Sequence, residues 1–227
     1  MTFDPLISLS TAGSVLDAAA LCLIALAFAG TVVRTLSTSI ALLAAQGRVL
    51  SIASGAAALA EMEWRSWGAF TVALAVKAIV IPLMLWRILD RMPVRQEPPG
   101  FLSVKLAVPL AAALIPISYR AIEPFTADTI GAFNATNALP AALALLLLGL
   151  FTMVTRKKAL SQVVGLVTME NGLYLAAVAA TRGLPFAVEF GVAVDVLAGV
   201  AVMGLVIHEI MRVTGSTDVD RLRTLTG

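Results

Sequence analysis

The fold is decided by AALALLLLGLFTMVTRKKALSQVVGLVTMENGLYLAAVAA, residues 141–180, in which two long apolar runs meet at a short basic joint, Arg156, Lys157 and Lys158. Each run is apolar around its whole circumference and lacks the alternation of a half-buried strand, so both read as helices. A hydrocarbon core of about 30 Å takes roughly 20 apolar residues. The joint is therefore where two spanning helices turn at one membrane face. Outward from it the pattern recurs, and seven spans are predicted near 12–33, 36–60, 65–89, 102–121, 130–155, 158–181 and 186–210. With 59% of its 227 residues hydrophobic and 13% charged, the chain is expected to be an all-α integral membrane protein. Pro109 and Pro116 predict a kink in the fourth span, and the other spans read as uninterrupted.

Short loops orient the bundle. Arg34, then Arg87, Arg91, Arg95 and Lys105, then Arg156 to Lys158, then Arg212, Arg221 and Arg223 all fall on one side, which predicts a cytoplasmic C-terminus and an external N-terminus. The opposite side is mostly acidic and includes Asp17, expected near the end of the first span and solvated. Proline-rich DRMPVRQEPPG (90–100) and IEPFTADT (122–129) read as connections. They divide the chain into a four-helix segment over 1–129, a three-helix segment over 130–213 and a polar cytoplasmic tail over 214–227, suited to contact with a partner. MTFDPLISLS has no basic region ahead of the apolar run, so the first span is expected to be retained. The basic residues are scattered, which implies no nucleic-acid partner. The single cysteine, Cys22, lies within a span and excludes an internal disulfide or a thiol cluster.

Ionisable groups at membrane depth are costly and mark function by default. Glu170 lies roughly 18 Å into the sixth span and Asp195 roughly 13 Å into the seventh, counted from opposite faces at 1.5 Å per residue. Lys77, in AFTVALAVKAIVIPLML, reaches the same layer from the third span, and Gln46 and Arg48, in LLAAQGRVLS, reach it from the second. A polar band thus crosses four helices. It admits two readings: ion pairs of Lys77 or Arg48 with Glu170 or Asp195 that only set helix register, or a proton path. Buried pairs often add little net stability, and the Gly and Ala around these groups leave room for close approach or water, which favours the path. In such relays burial moves carboxylate and amine pKa values towards each other. Supporting candidates are Asn171 beside Glu170, Tyr174 one turn on, Glu189 at the outer mouth of the seventh span, and His208 with Glu209 at its cytoplasmic end.

No Cys-x-x-Cys, histidine pair, Gly-x-Gly-x-x-Gly or P-loop is present, so redox or nucleotide chemistry would belong to partners. A retinal protein would carry a lysine in its last span, and none is there. The blocks AQGRVLS, VKAIVIPLML, RKKALSQVVGLVTMENGLYL, VEFGVAVDVLAGVAVM and TDVDRLRTLTG resemble the hydrogenase-4 component E family (HyfE) nearly end to end. The C-terminal half, from about 130, also resembles NuoK of complex I and MrpC of multisubunit sodium/proton antiporters, three-span proteins with an acid in the second and third spans. Asp195 stands where the third-span acid would be. The second-span acid of NuoK directly follows a Gly-Leu pair, where this chain has Val167; Glu170 lies almost one turn further, about 4.5 Å along the axis.

The resemblance implies a non-redox subunit in the bacterial inner membrane, part of a formate-hydrogenlyase-like complex coupling ferredoxin-, formate- or hydrogen-linked electron transfer to ion pumping. Antiporter-like (NuoL, NuoM and NuoN type), NuoH-like and peripheral hydrogenase-like subunits would be its partners. Iron–sulfur clusters and a nickel–iron centre would sit in those chains, with no cofactor or metal in this one. A structural adaptor of the same complex, a Mrp-like antiporter subunit and an independent small transporter are the competing expectations.

Overall fold

The computed structural model describes residues 5–61, 64–90, 92, 96–98, 102–128, 136–180, 199 and 204. Among these, six helices are long and apolar enough to cross a bilayer: Ser10–Val32, Leu36–Ala60, Ser66–Asp90, Val104–Pro124, Ala138–Thr155 and Ala159–Ala179. They fall close to the first six spans read from the sequence. The seventh expected span, apart from Gly199 and Gly204, and the tail over 214–227 lie outside the described residues.

The elements are α1 (Pro5–Val32), α2 (Leu36–Glu61), α3 (Trp64–Val72), a π-helical stretch (Ala73–Val80), α4 (Ile81–Asp90), α5 (Val104–Asp128), α6 (Ala138–Thr155) and α7 (Ala159–Ala180). Helices are what such a sequence must form in hydrocarbon, because every backbone N–H and C=O then finds its partner within its own segment. The third span departs from expectation. It is not a uniform α-helix: the Ile81 N–H bonds back to the Val76 carbonyl, five residues earlier, and the intervening turns carry Lys77. Such π stretches are uncommon and concentrate at functional sites.

Two connections also differ from the sequence reading. The helix of α5 continues through Pro109, Pro116 and Pro124 to Asp128, so most of IEPFTADT is helical. Its exposed Arg120 and Glu123 form an ion pair at 3.1 Å, one helical turn apart. The fifth span begins at Ala138, later than predicted, because the start of α6 is set by a residue from α1. Asp17 Oδ1 accepts the Asn137 N–H at 2.8 Å and Oδ2 accepts the Thr136 hydroxyl at 3.4 Å. Asp17 is thus half-buried and engaged rather than solvated, supplying an anion to a helix N-terminus that has unpaired N–H groups.

α6 and α7 share the most extensive contact among the described elements. A Cβ on Gly149 would stand 2.6 Å from the Gly165 carbonyl oxygen, and one on Gly165 would stand 2.8 Å from the Gly149 carbonyl oxygen. Only paired glycines permit that approach, which replaces the missing hydrophobic drive in lipid by close backbone packing.

The buried apolar side chains divide into two clusters. One contains Leu16, Leu23, Leu50, Leu145, Leu148 and Leu175. The other contains Leu36, Leu43, Ile81, Leu85, Leu160 and Val163. Along α2 the change falls between Leu43 and Leu50, along the third span between Ala73 and Ile81, and along α7 between Val167 and Tyr174. In those three intervals lie Gln46, Lys77, and Glu170 with Asn171. The polar residues at mid-depth therefore form a layer between two apolar compartments.

Candidate functional site

Helical spacing brings Glu170 and Tyr174 to one face of α7 with Val167 and Val178, at steps of three, four and four, and Asn171 lies beside Glu170; all five are buried. The third span meets this face with Lys77. Its ammonium donates to Glu170 Oε2 in a close salt bridge and to Asn171 Oδ1 at 3.4 Å. It also lies 4.8 Å from the centroid of the Tyr174 ring, within cation–π range. Asn171 continues the network across to α2, where its Nδ2 donates to Gln46 Oε1 at 3.1 Å. The Tyr174 hydroxyl shares a 2.8 Å hydrogen bond with Ser54, two turns along α2 from Gln46.

Close helix approach makes this geometry possible. A Cβ on Gly47 would stand 2.3 Å from the Lys77 carbonyl oxygen. The glycine therefore seats α2 directly on the π stretch, placing Gln46 and Ser54 within reach of the α7 face. Lys77 and Glu170 are 4% and 7% exposed, so each has lost nearly all its hydration, and mutual attraction must offset a desolvation cost of several kcal/mol per ion. The offset is incomplete at one atom. Glu170 Oε1 is buried and makes no hydrogen bond among the described residues. The chemistry available is proton exchange: a carboxylate with one oxygen bound to an ammonium and one unengaged, beside an amide and an aromatic face able to hold the cation.

The structure thus joins Lys77, Glu170, Asn171, Gln46 and Tyr174. It does not join Arg48, which was expected in the band but is exposed on the outward side of α2. Two residues along a helix turn the side chain by about 200°, so Gln46 and Arg48 necessarily face opposite ways. Asp195, Glu189 and His208 lie outside the described residues. Ser54 was not among the sequence candidates, although it had a usable signal, lying at i+8 from Gln46 along α2.

A second buried carboxylate was also missed. Glu97, in the proline-rich connection before α5, accepts the backbone N–H groups of Lys157 at 3.1 Å and Lys158 at 2.9 Å, and its other oxygen accepts the Ser161 hydroxyl. It caps the start of α7. The Glu97 N–H itself donates to the Arg34 carbonyl at 2.9 Å, and Thr35 pairs with Gln96 in an isolated bridge. Beside it, Arg156 Nη2 donates to the Thr31 and Val33 carbonyls at 2.6 and 2.7 Å, closing the C-terminal end of α1. Burial pulls the Arg156 pKa below its usual value, Glu97 opposes that shift and Arg34 adds to it.

The family model for NADH-ubiquinone/plastoquinone oxidoreductase chain 4L matches residues 138–227, a stretch that begins with α6. An uncharacterised protein of Mycobacterium tuberculosis (strain ATCC 25618 / H37Rv) is 33% identical over 153 residues, 67% of this chain and 69% of its own length. Hydrogenase-4 component E of Escherichia coli (strain K12) is 29% identical over 155 residues, 68% of this chain and 71% of its own length. The protein of the same name from Shigella flexneri matches to the same extent. No solved structure matches the chain.

Proposed function

We propose that this chain, a homologue of hydrogenase-4 component E with a chain 4L unit in its C-terminal part, is a complex-I-related membrane subunit in which Lys77 and Glu170 carry part of a proton path. The observation that supports this most is the half-engaged carboxylate: Oε2 holds Lys77 while Oε1 is buried without a hydrogen bond among the described residues. An incoming proton attaches to Oε1. Glu170 then becomes neutral, its hold on Lys77 weakens, and Asn171 Oδ1 and the Tyr174 ring steady the ammonium until the proton moves on. Intramembrane carboxylates and amines in pumps work by such exchanges.

In this reading Asp195 of the expected seventh span is the next group on the path, and Glu189 and His208 stand towards its two mouths. The N-terminus is external, the C-terminus is cytoplasmic, and the chain sits in a bacterial inner membrane among antiporter-like and NuoH-like subunits. Electron transfer belongs to the peripheral partners, whose clusters drive the pumping.

The test is ion uptake by vesicles containing the complex with Glu170→Gln or Asp195→Asn. The expected result is full assembly and continuing electron transfer with most uptake lost. Normal uptake by assembled variants would reject the path, and loss of assembly in both would show a purely structural role instead.

A further inference from the structure

We propose that the outward face of α2, centred on Arg48, receives a spanning helix of another membrane subunit that presents a carboxylate at the same depth. The inference rests on the reading above that the chain works inside a multisubunit complex.

Arg48 is exposed and makes no hydrogen bond or ion pair with a described residue. It lies roughly 18 Å along the helix from Leu36 and roughly 20 Å from Glu61, too far for its side chain to reach either end. A guanidinium cannot shed its charge in a protein, and facing hydrocarbon it would be left without solvation. The internal layer does not serve it, because Lys77 occupies Glu170 and Arg48 points the other way. The charge therefore calls for an acid from outside.

The surroundings of Arg48 suit a helix rather than lipid. α1, α3, α4, α7 and the π stretch take the other sides of α2. On the remaining side Ala41, Ala45, Arg48, Ile52 and Leu59 recur at steps of four, three, four and seven, the spacing of left-handed helix packing. Ala41 and Ala45 allow a close backbone, while Ile52 and Leu59 are 63% and 64% exposed and offer knobs to a partner. α5 provides the contrast. All of its exposed side chains between 106 and 117, among them Leu106, Leu110 and Ile117, are apolar, as a lipid-facing surface requires. A lone cation among packing-spaced residues is the complement of a helix with one acid.

The experiment places the photo-crosslinking residue p-benzoylphenylalanine at Ile52, one turn from Arg48, in membranes carrying the whole complex. The expected product is an adduct with one spanning peptide of another membrane subunit that has Asp or Glu within a turn of the linkage. Arg48→Glu should lower the yield of that adduct several-fold, and reversing the partner's acid to Arg should restore it. Adducts with lipid alone, no adduct, a second copy of this chain, or residues 181–227 of the same chain would each overturn the proposal, as would a yield indifferent to Arg48→Glu. If the wild-type chain purifies without any other membrane subunit, the complex reading falls with it; if the complex is intact and the linkage goes to lipid, only this face is wrong.

Discussion

Glu97 and Glu170 are 6% and 7% exposed, and both belong to helices and joints of one bundle, yet their surroundings differ in kind. Glu97 receives two backbone N–H groups and a serine hydroxyl, so both of its oxygens are engaged and its hydrogen-bond donors among the described residues are neutral, with the Arg156 charge nearby. Glu170 receives an ammonium on one oxygen and nothing among the described residues on the other. A carboxylate held by several fixed donors is locked in place as a cap. One held by a single titratable cation can gain a proton at its open oxygen and alter its partner. At equal burial the two acids are distinguished by their donors, and under the proposed path only Glu170 exchanges a proton.

The largest test of this contrast removes the cation. Lys77→Met should strand Glu170 and destabilise the subunit by about 3–5 kcal/mol, read as an earlier thermal dissociation from the detergent-solubilised complex. Adding Glu170→Gln should return much of that loss. If the two substitutions prove additive, the pair is not coupled as described. Next in size is Glu97→Gln, which removes the charge from three hydrogen bonds and should cost about 3 kcal/mol in the same measurement. Complexes that still assemble should pump with normal coupling, the reverse of the result expected for Glu170→Gln. Uncoupling by Glu97→Gln without loosening would erase the distinction between the two acids. The smallest effect is expected at Gly47→Ala. Its Cβ would meet the Lys77 carbonyl oxygen at 2.3 Å, and the resulting overpacking should cost about 1–3 kcal/mol. An unchanged dissociation temperature would mean that α2 can withdraw from the π stretch without affecting the layer.

Much of the bundle was legible before any coordinates. The basic joint at Arg156 to Lys158 and the lengths of the apolar runs located six spans, five of them within a few residues of where they form and the fifth begun eight residues too early. Counting residues from opposite faces put Lys77 and Glu170 in one layer, and the structure joins them. Other features left no such trace. The cap on α7 comes from Glu97, about 60 residues earlier in a loop that reads only as polar and proline-rich. The cap on α6 comes from Asp17, 120 residues away. Neither contact has a periodic or local signature, so neither could be counted out along the chain. The π stretch was equally silent, since ALAVKAIV carries the composition of an ordinary apolar helix.

Val167 is the position at which the resemblance to NuoK would place the second-span acid. It packs in the apolar compartment next to the charged layer, on the same α7 face as Glu170. Glu170, almost one turn further along that face, stands at the boundary between the compartments, opposite Lys77.

The sequence by itself determined the number of the first six spans and the shared layer of Gln46, Lys77 and Glu170, because a helix rises by a constant amount per residue and hydrocarbon thickness sets where it must begin and end. Only the tertiary structure decided which way each group points. Gln46 faces the layer and Arg48, two residues on, faces out. Helices that are apolar all round carry no amphipathic stripe to betray their inner side, so facing is settled by packing, here by Gly47 against Lys77 and Gly149 against Gly165.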